Sequence, residues 1–152
     1  MKTVLITGCS SGFGLETARY FLERDWRVVA TMRTPRDDVL VGSPHLQVLQ
    51  LDVTDARSIQ RAIGAAGSVD VLVNNAGLGA PAPFELTRME TVRELFETNT
   101  FGTISVTRAV LPQMRERKSG VIVNVTSSAT YKPLPLIGAY RAFKAAVDAI
   151  TQ

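Results

Sequence analysis

Cysteine, tryptophan and histidine each occur once in this 152-residue chain, and aromatic residues make up only 7% of it. A lone Cys9 cannot close an internal disulfide, which excludes a disulfide scaffold and fits a reducing, cytoplasmic setting. No metal site is expected. Long apolar runs are also missing. The run at Thr3–Thr7 is too short for the apolar part of a signal peptide, and no stretch approaches the roughly 18 apolar residues of a membrane span. Nor does one sign of charge dominate, since 17 basic residues against 14 acidic ones leave a net charge of +3. That excess is too small and too scattered to argue for a nucleic-acid partner. The densest cluster, Arg115-Glu116-Arg117-Lys118, reads as a solvated helix end. What is present is ordinary: 45% hydrophobic and 20% charged residues, the balance of one folded domain spanning 1–152.

Short apolar, β-branched runs alternate with helix-periodic segments. Strands are predicted at Thr3–Thr7, Arg27–Thr31, Leu46–Leu51, Val69–Asn75 and Gly120–Thr126. Helices are predicted at Gly14–Arg24, with Leu15, Ala18, Phe21 and Leu22 on one stripe, at Ala56–Ala65 with Asp52 or Thr54 as its cap, at Arg88–Glu97 and at Asn99–Arg117. A last helix begins near Gly138 and is still running at Gln152. Continuous rather than alternating apolar strands imply a parallel sheet buried on both faces. The fold class expected is α/β, a doubly wound Rossmann-type sheet. The Pro/Gly stretches at Gly77–Pro83 and Lys132–Gly138 follow strands four and five, at the carboxyl ends where open α/β sheets place ligands.

The first strand runs straight into "TGCSSGFG", with glycines at Gly8, Gly12 and Gly14. Such a turn lets backbone N–H groups approach a pyrophosphate at a helix N-terminus. The spacing G-x-x-x-G-x-G departs from the common G-x-G-x-x-G fingerprint, and a plain tight connection also explains it. Cys9, within the loop, reads as a small buried filler, with a reactive thiol as the other option. Tyr140 and Lys144 are four apart in "YRAFK" and share a helix face. An ammonium beside a phenol favours the phenolate, bringing a pKa near 10 toward neutrality and making a usable general acid/base. A core-edge tyrosine beside a snorkelling lysine gives the same spacing. Ser127 is expected at the end of strand five, where its hydroxyl can donate to a carbonyl oxygen.

Taken in order, "TGCSSGFG", "LDVT", "NNAG", "NTFG", "VIVNVTSS" and "YRAFK" resemble the short-chain dehydrogenase/reductase family along essentially the whole chain, with Ser127 thirteen residues before Tyr140. "VVATMR" is similar to hydroxysteroid and retinol dehydrogenase members. The resemblance implies an oxidoreductase interconverting a secondary alcohol and a ketone or aldehyde. Its catalytic residues would be Asn99, Ser127, Tyr140 and Lys144. Tyr140 would move the proton, Ser127 would orient the substrate oxygen, and Lys144 would tune the tyrosine and bond the nicotinamide ribose. Asn99 would hold the helix and a relay water, although its position equally suits a helix N-cap. The implied dinucleotide contacts are Gly8, Ser10, Ser11, Gly12, Phe13 and Gly14 in the loop, Asp52 and Val53 at the adenine, Asn75, Ala76 and Gly77 beside the adenosine, and Tyr140 and Lys144 at the nicotinamide. Asp52 can as cheaply cap a helix, and Asn74 and Asn75 can be turn residues.

Charge argues for the cofactor. An acidic residue at the end of strand two accepts from the ribose 2′-OH of NAD, yet eighteen residues beyond Gly14 stands Met32, followed by Arg33. A guanidinium pairs with a 2′-phosphate, so NADP(H) is expected over NAD(H), with NAD(H) possible and Arg33 otherwise a solvated loop charge near Arg36. Leu78, Tyr131, Leu134, Leu136 and Ile137 suggest an apolar small-molecule substrate, or else packing. Family members run on past the tyrosine helix into a sixth strand and a substrate-covering segment, so this chain reads as their cofactor half, lacking the C-terminal third. A dinucleotide-binding module without catalysis is the alternative. Family pairing through the Asn99–Arg117 helix and the tyrosine helix implies a homodimer or homotetramer in the longer form. Phe143 stands where many members have serine before the lysine.

Overall fold

A computed structural model describes residues 1–36, 38, 40, 42–79, 81–132 and 134–151. Five strands, β1 (Thr3–Thr7), β2 (Arg27–Met32), β3 (Leu46–Gln50), β4 (Val71–Asn74) and β5 (Val121–Asn124), form one sheet in the order β3-β2-β1-β4-β5. Every neighbouring pair is parallel. The chain therefore winds one way from β1 to β3, crosses back over β1, and winds the other way from β4 to β5. Between β1 and β4 the connections diverge, which opens a crevice at the carboxyl edge.

Helices α1 (Gly12–Leu22), α2 (Ala56–Ala66), α3 (Met89–Phe96), α4 (Gly102–Arg117) and α5 (Gly138–Ala149) flank the sheet. Alternate residues of β1 point to opposite faces, so two cores form. Leu5, Val29 and Leu72 pack with Ile59, Ile63, Val106 and Val110 from α2 and α4. Val4, Ile6, Val28 and Val73 pack with Ala18, Leu15 and Phe21 of α1. β1 is buried along its whole length, whereas Val121 and Val123 on β5 are exposed.

Several boundaries differ from expectation. α1 starts at Gly12 and stops at Leu22, and Asp25 at φ 57° turns the chain out of the helix in the left-handed region. α2 is capped by Asp55, whose carboxylate accepts from the Arg57 N–H at 2.8 Å, rather than by Asp52 or Thr54. Asp52 instead closes a turn on Thr54. β4 and β5 are shorter than predicted at both ends: Val69 and Asp70 precede β4, Gly120 precedes β5, and the site loops begin at Asn75 and Val125. The two helices predicted at 88–97 and 99–117 are one rod: a π turn, Glu97–Phe101, joins α3 to α4 without a break. Asn99 lies inside that turn and is not an N-cap. The last helix ends at Ala149, and Gln152 lies outside the described residues.

Candidate active site

Gly8 leaves β1 with φ +75°, a conformation that side-chain-bearing residues rarely adopt, and a Cβ there would lie 2.7 Å from the Ala76 Cα. Gly14 sits in a second close approach, where a Cβ would collide with the Gly8 carbonyl and the Asn75 amide. The loop is thus compressed onto the end of β4. Ser11, extended at φ −168°, precedes α1 without a capping bond from its side chain, and no acidic residue lies in the first turn. The first N–H groups of this 11-residue helix face outward and favour an anion. Cys9 is fully buried with its Sγ donating to the Ile6 carbonyl at 3.3 Å. Burial pushes its thiol up to about 12, so it packs and does not react.

Asn75 and Thr7 join the loop to β4. The Asn75 side-chain amide donates to the Thr7 and Gly8 carbonyls at 2.9 and 3.1 Å. The Thr7 hydroxyl accepts from the Asn75 and Ala76 N–H groups, each at 3.0 Å. Thr7 was not singled out from the sequence, because a threonine ending a strand reads as a β-former.

At the other end of the crevice, the Asp52 carboxylate accepts from the Thr54 N–H at 2.9 Å and hydroxyl at 2.7 Å. Those bonds, with a smaller contribution from the Arg33 charge, hold its carboxyl below the ordinary range. Arg36 is taken up by Asp38 at 2.8 Å. Arg33 makes no ion pair among the described residues and faces the crevice.

The crevice is a cleft of about 560 Å³. Gly8, Ser10, Ser11, Phe13, Arg33, Asp52, Val53, Asn75, Ala76 and Gly77 all line it, as do Leu78, Thr54, Glu94, Glu97 and Thr98. Gly12 and Gly14 shape the loop without lining the cleft. Its glycine cradle and the Arg33 guanidinium, in no ion pair among the described residues, suit a phosphate-bearing ligand such as a dinucleotide. Gly77 is confined too, since a Cβ there would meet the Asn99 Oδ1 at 2.5 Å.

Asn99 is buried in the π turn. Its Oδ1 accepts from the Leu78 N–H at 3.0 Å, and its Nδ2 donates to the Leu78 and Leu95 carbonyls at 3.1 and 2.7 Å. The side chain is thereby spent on backbone. Ser127 stands three residues past β5, beginning a 3₁₀ turn (Ser128–Thr130), and its Oγ accepts from the Ala129 N–H at 3.2 Å. Its proton stays available to an outside acceptor. Tyr140 and Lys144 are on one face of α5. The Tyr140 phenol is half-buried, packs edge-on against Phe143 at 5.0 Å, and makes no hydrogen bond among the described residues. Lys144 donates to the Val125 carbonyl at 2.6 Å, and burial lowers its ammonium below the ordinary lysine value. One of its three N–H donors is used there. Ser127, Tyr140 and Lys144 lie beyond the lining of the cleft, on the β5 side of the same carboxyl edge.

The apolar residues of the neighbouring loops are exposed at Tyr131, Leu134 and Leu136, joined by Phe84, which no sequence motif marks. The Ala82 N–H donates to the Leu136 carbonyl at 3.0 Å and ties the loop after β4 to the loop after β5. Among the described residues no helix is long and apolar enough to cross a membrane, and no group of three His, Cys, Asp or Glu side chains could hold a metal.

The family model described as short chain dehydrogenase matches residues 2–152. A 3-ketodihydrosphingosine reductase of Bacteroides thetaiotaomicron is 37% identical over 155 residues, covering 99% of this chain and 56% of the relative. Human retinol dehydrogenase 8 is 37% identical over 158 residues, covering 97% of this chain and 51% of the relative. The closed form of a serine dehydrogenase complexed with NADP+ superposes with a TM-score of 0.89 at 34% identity, over 97% of this chain and 62% of that one. The chain spans about half the length of the curated relatives it matches.

Proposed function

We propose, for a chain that belongs to the short-chain dehydrogenase family, that it binds NADP(H) along the cleft and carries the residues that interconvert a small apolar secondary alcohol and its ketone or aldehyde. The observation that carries this reading is the cradle at Gly8 and Gly14, held by Asn75, with Arg33, in no ion pair among the described residues, lining the same cleft. The α1 N-terminus and the exposed loop serines would hold the pyrophosphate, and Asp52 and Val53 would flank the adenine. A guanidinium in no ion pair among the described residues can meet a 2′-phosphate bidentately, whereas Met32, standing where NAD enzymes place an acid, offers a ribose nothing. A solved relative complexed with NADP+ supports the same preference.

The cofactor, when bound, supplies or accepts the hydride. Tyr140 gives its phenolic proton to the substrate oxygen during reduction and takes it back during oxidation. With no hydrogen bond among the described residues, its proton and oxygen are both free for that exchange. Ser127 donates to the same oxygen and fixes its position. Lys144, one turn along, stabilises the negative oxygen left on Tyr140, and its spare donors can reach a ribose hydroxyl. Asn99 contributes through its grip on the Leu78 backbone, which sets the wall of the cleft beside Gly77. Tyr131, Leu134, Leu136 and Leu78 would meet an apolar substrate, in keeping with relatives named for a ketodihydrosphingosine and for retinol. Pairing of two copies through the 99–117 stretch and the tyrosine helix α5 belongs to this reading and is supported by the exposed Phe101 ring.

The test is a titration of this chain with NADPH and, separately, NADH, followed by nicotinamide fluorescence, then NADPH-dependent reduction of 2-decanone. Saturable binding, tighter for NADPH, is expected. Binding without turnover would leave a dinucleotide-binding module, and no binding of either would overturn the reading.

A further inference from the structure

Thr100 is the neighbour of Asn99 in the π turn, only 5% exposed, and its hydroxyl does something unusual for a helical threonine. Such hydroxyls commonly fold back onto the carbonyl four residues earlier in their own helix, as Thr103 does to Asn99 at 2.9 Å. Thr100 instead reaches another element: its Oγ1 donates to the Phe143 carbonyl of α5 at 3.3 Å, across 43 residues of sequence. Phe143 is mid-helix, so the regular ladder already gives its carbonyl an N–H partner. The bond is needed by the buried hydroxyl, which would otherwise lack a partner. Its geometric effect falls on α5.

The contact point lies between Tyr140 and Lys144, on the residue immediately before the lysine. Three further bonds hold the same helix: Lys144 to the Val125 carbonyl at 2.6 Å, Arg141 to the Thr130 carbonyl at 3.3 Å, and the Tyr131 hydroxyl to the Asp148 carboxylate at 3.4 Å. All of those anchor α5 to the segment after β5. Only the Thr100 bond among the four anchors it to the α3–α4 rod. The extra residue of the π turn lets consecutive side chains serve two elements, Asn99 gripping Leu78 on the cleft wall and Thr100 gripping the Tyr140–Lys144 turn.

We infer that Thr100 is a positioning residue, whose hydroxyl sets the rotation and height of α5 on the rod and so the placement of Tyr140 and Lys144 relative to the cleft. This rests on the reading of that pair as the proton-transfer groups.

The test follows the ε-carbon resonance of Lys144 through a pH titration in the unmodified chain and in Thr100→Val, Thr100→Ser and Thr31→Val. Thr31 is a control, a fully buried threonine donating to the Ile6 carbonyl at 3.0 Å, far along the sheet from α5. Thr100→Val is expected to expose Lys144 and move its titration up toward the ordinary lysine range, while Thr100→Ser and Thr31→Val leave it in place. A titration unmoved in Thr100→Val, or moved equally in Thr31→Val, overturns the inference. Should Thr100→Val not fold, the Thr100 hydroxyl proton of the unmodified chain decides: slow exchange with water supports the bond, and exchange as fast as an exposed threonine's refutes it. Turnover is read separately. With 2-decanone and NADPH, Thr100→Val should lower kcat roughly tenfold or more by misplacing the reacting groups, with NADPH affinity kept. An unmodified chain without turnover defeats the oxidoreductase reading and leaves the Lys144 titration to decide Thr100.

Discussion

The side-chain amide of Asn75 donates to the Gly8 carbonyl at 3.1 Å, so the residue just past β4 holds the turn that leaves its neighbour β1. The same amide crowds Gly14 so closely that only glycine fits there. Loop and strand end therefore form one rigid unit.

Asn75→Ala removes two donors and leaves the Thr7 and Gly8 carbonyls without them. The expected cost is about 2 kcal/mol, from two net hydrogen bonds of roughly 1 kcal/mol each. For a chain of this length, that lowers Tm by roughly 4–8 °C. NADPH affinity should fall with it, which a thermal melt and a fluorescence titration on one sample would show together.

Arg33→Ala should weaken NADPH binding about 10- to 100-fold, the loss of one charge-assisted contact, and leave NADH binding unchanged. Equal loss for both cofactors would remove the 2′-phosphate assignment.

Tyr140→Phe keeps the ring against Phe143 and deletes the hydroxyl. Turnover should fall by about 10²- to 10⁴-fold, the ordinary worth of a positioned acid/base. Cofactor affinity should stay within twofold or so, since the ring remains packed. Steady-state rates beside a binding titration check both halves.

Cys9 gives a pH prediction with a definite sign. Its thiol titrates near 12 in the folded chain and near 8.5 when unfolded. The folded state thus favours the protonated thiol, a contribution fully present below the unfolded value and lost as pH rises from about 8.5 toward 12. Cys9→Ala should flatten the decline of stability in that window, measured by urea unfolding at several pH values. A thiol reagent at pH 8 should label Cys9 only after unfolding.

Much of the architecture was legible because β1, β2 and β4 are unbroken apolar, β-branched runs, a pattern only a sheet covered on both faces requires. The Gly8 and Gly14 loop was legible for a related reason, since close backbone approach excludes other residues. Asp55 was harder to find: Asp52, Thr54 and Asp55 are all competent caps within four positions, and only the backbone path decides among them. In the sequence the π turn shows only as a break between two predicted helices, because one inserted residue turns the apolar stripe by about 100° there. Asn99 was therefore found through family resemblance and Thr100 not at all. Ser127 lies past the strand it was expected to end, where the VNVTSS run keeps its β-forming composition after the ladder has stopped.

The strand order has a consequence for synthesis. β1 is the third of five strands in space and the first to be made; its β2 partner begins at Arg27, but its β4 partner begins only at Val71. At translation rates of about 5–20 residues per second, the most buried strand waits roughly 3–13 s with one edge open. Until Asn75 emerges, the glycine turn has nothing to fold against, so a nascent chain carrying the whole phosphate loop still has no cleft. The open edge of β1 is where a chaperone, or a misfolded neighbour, would bind first.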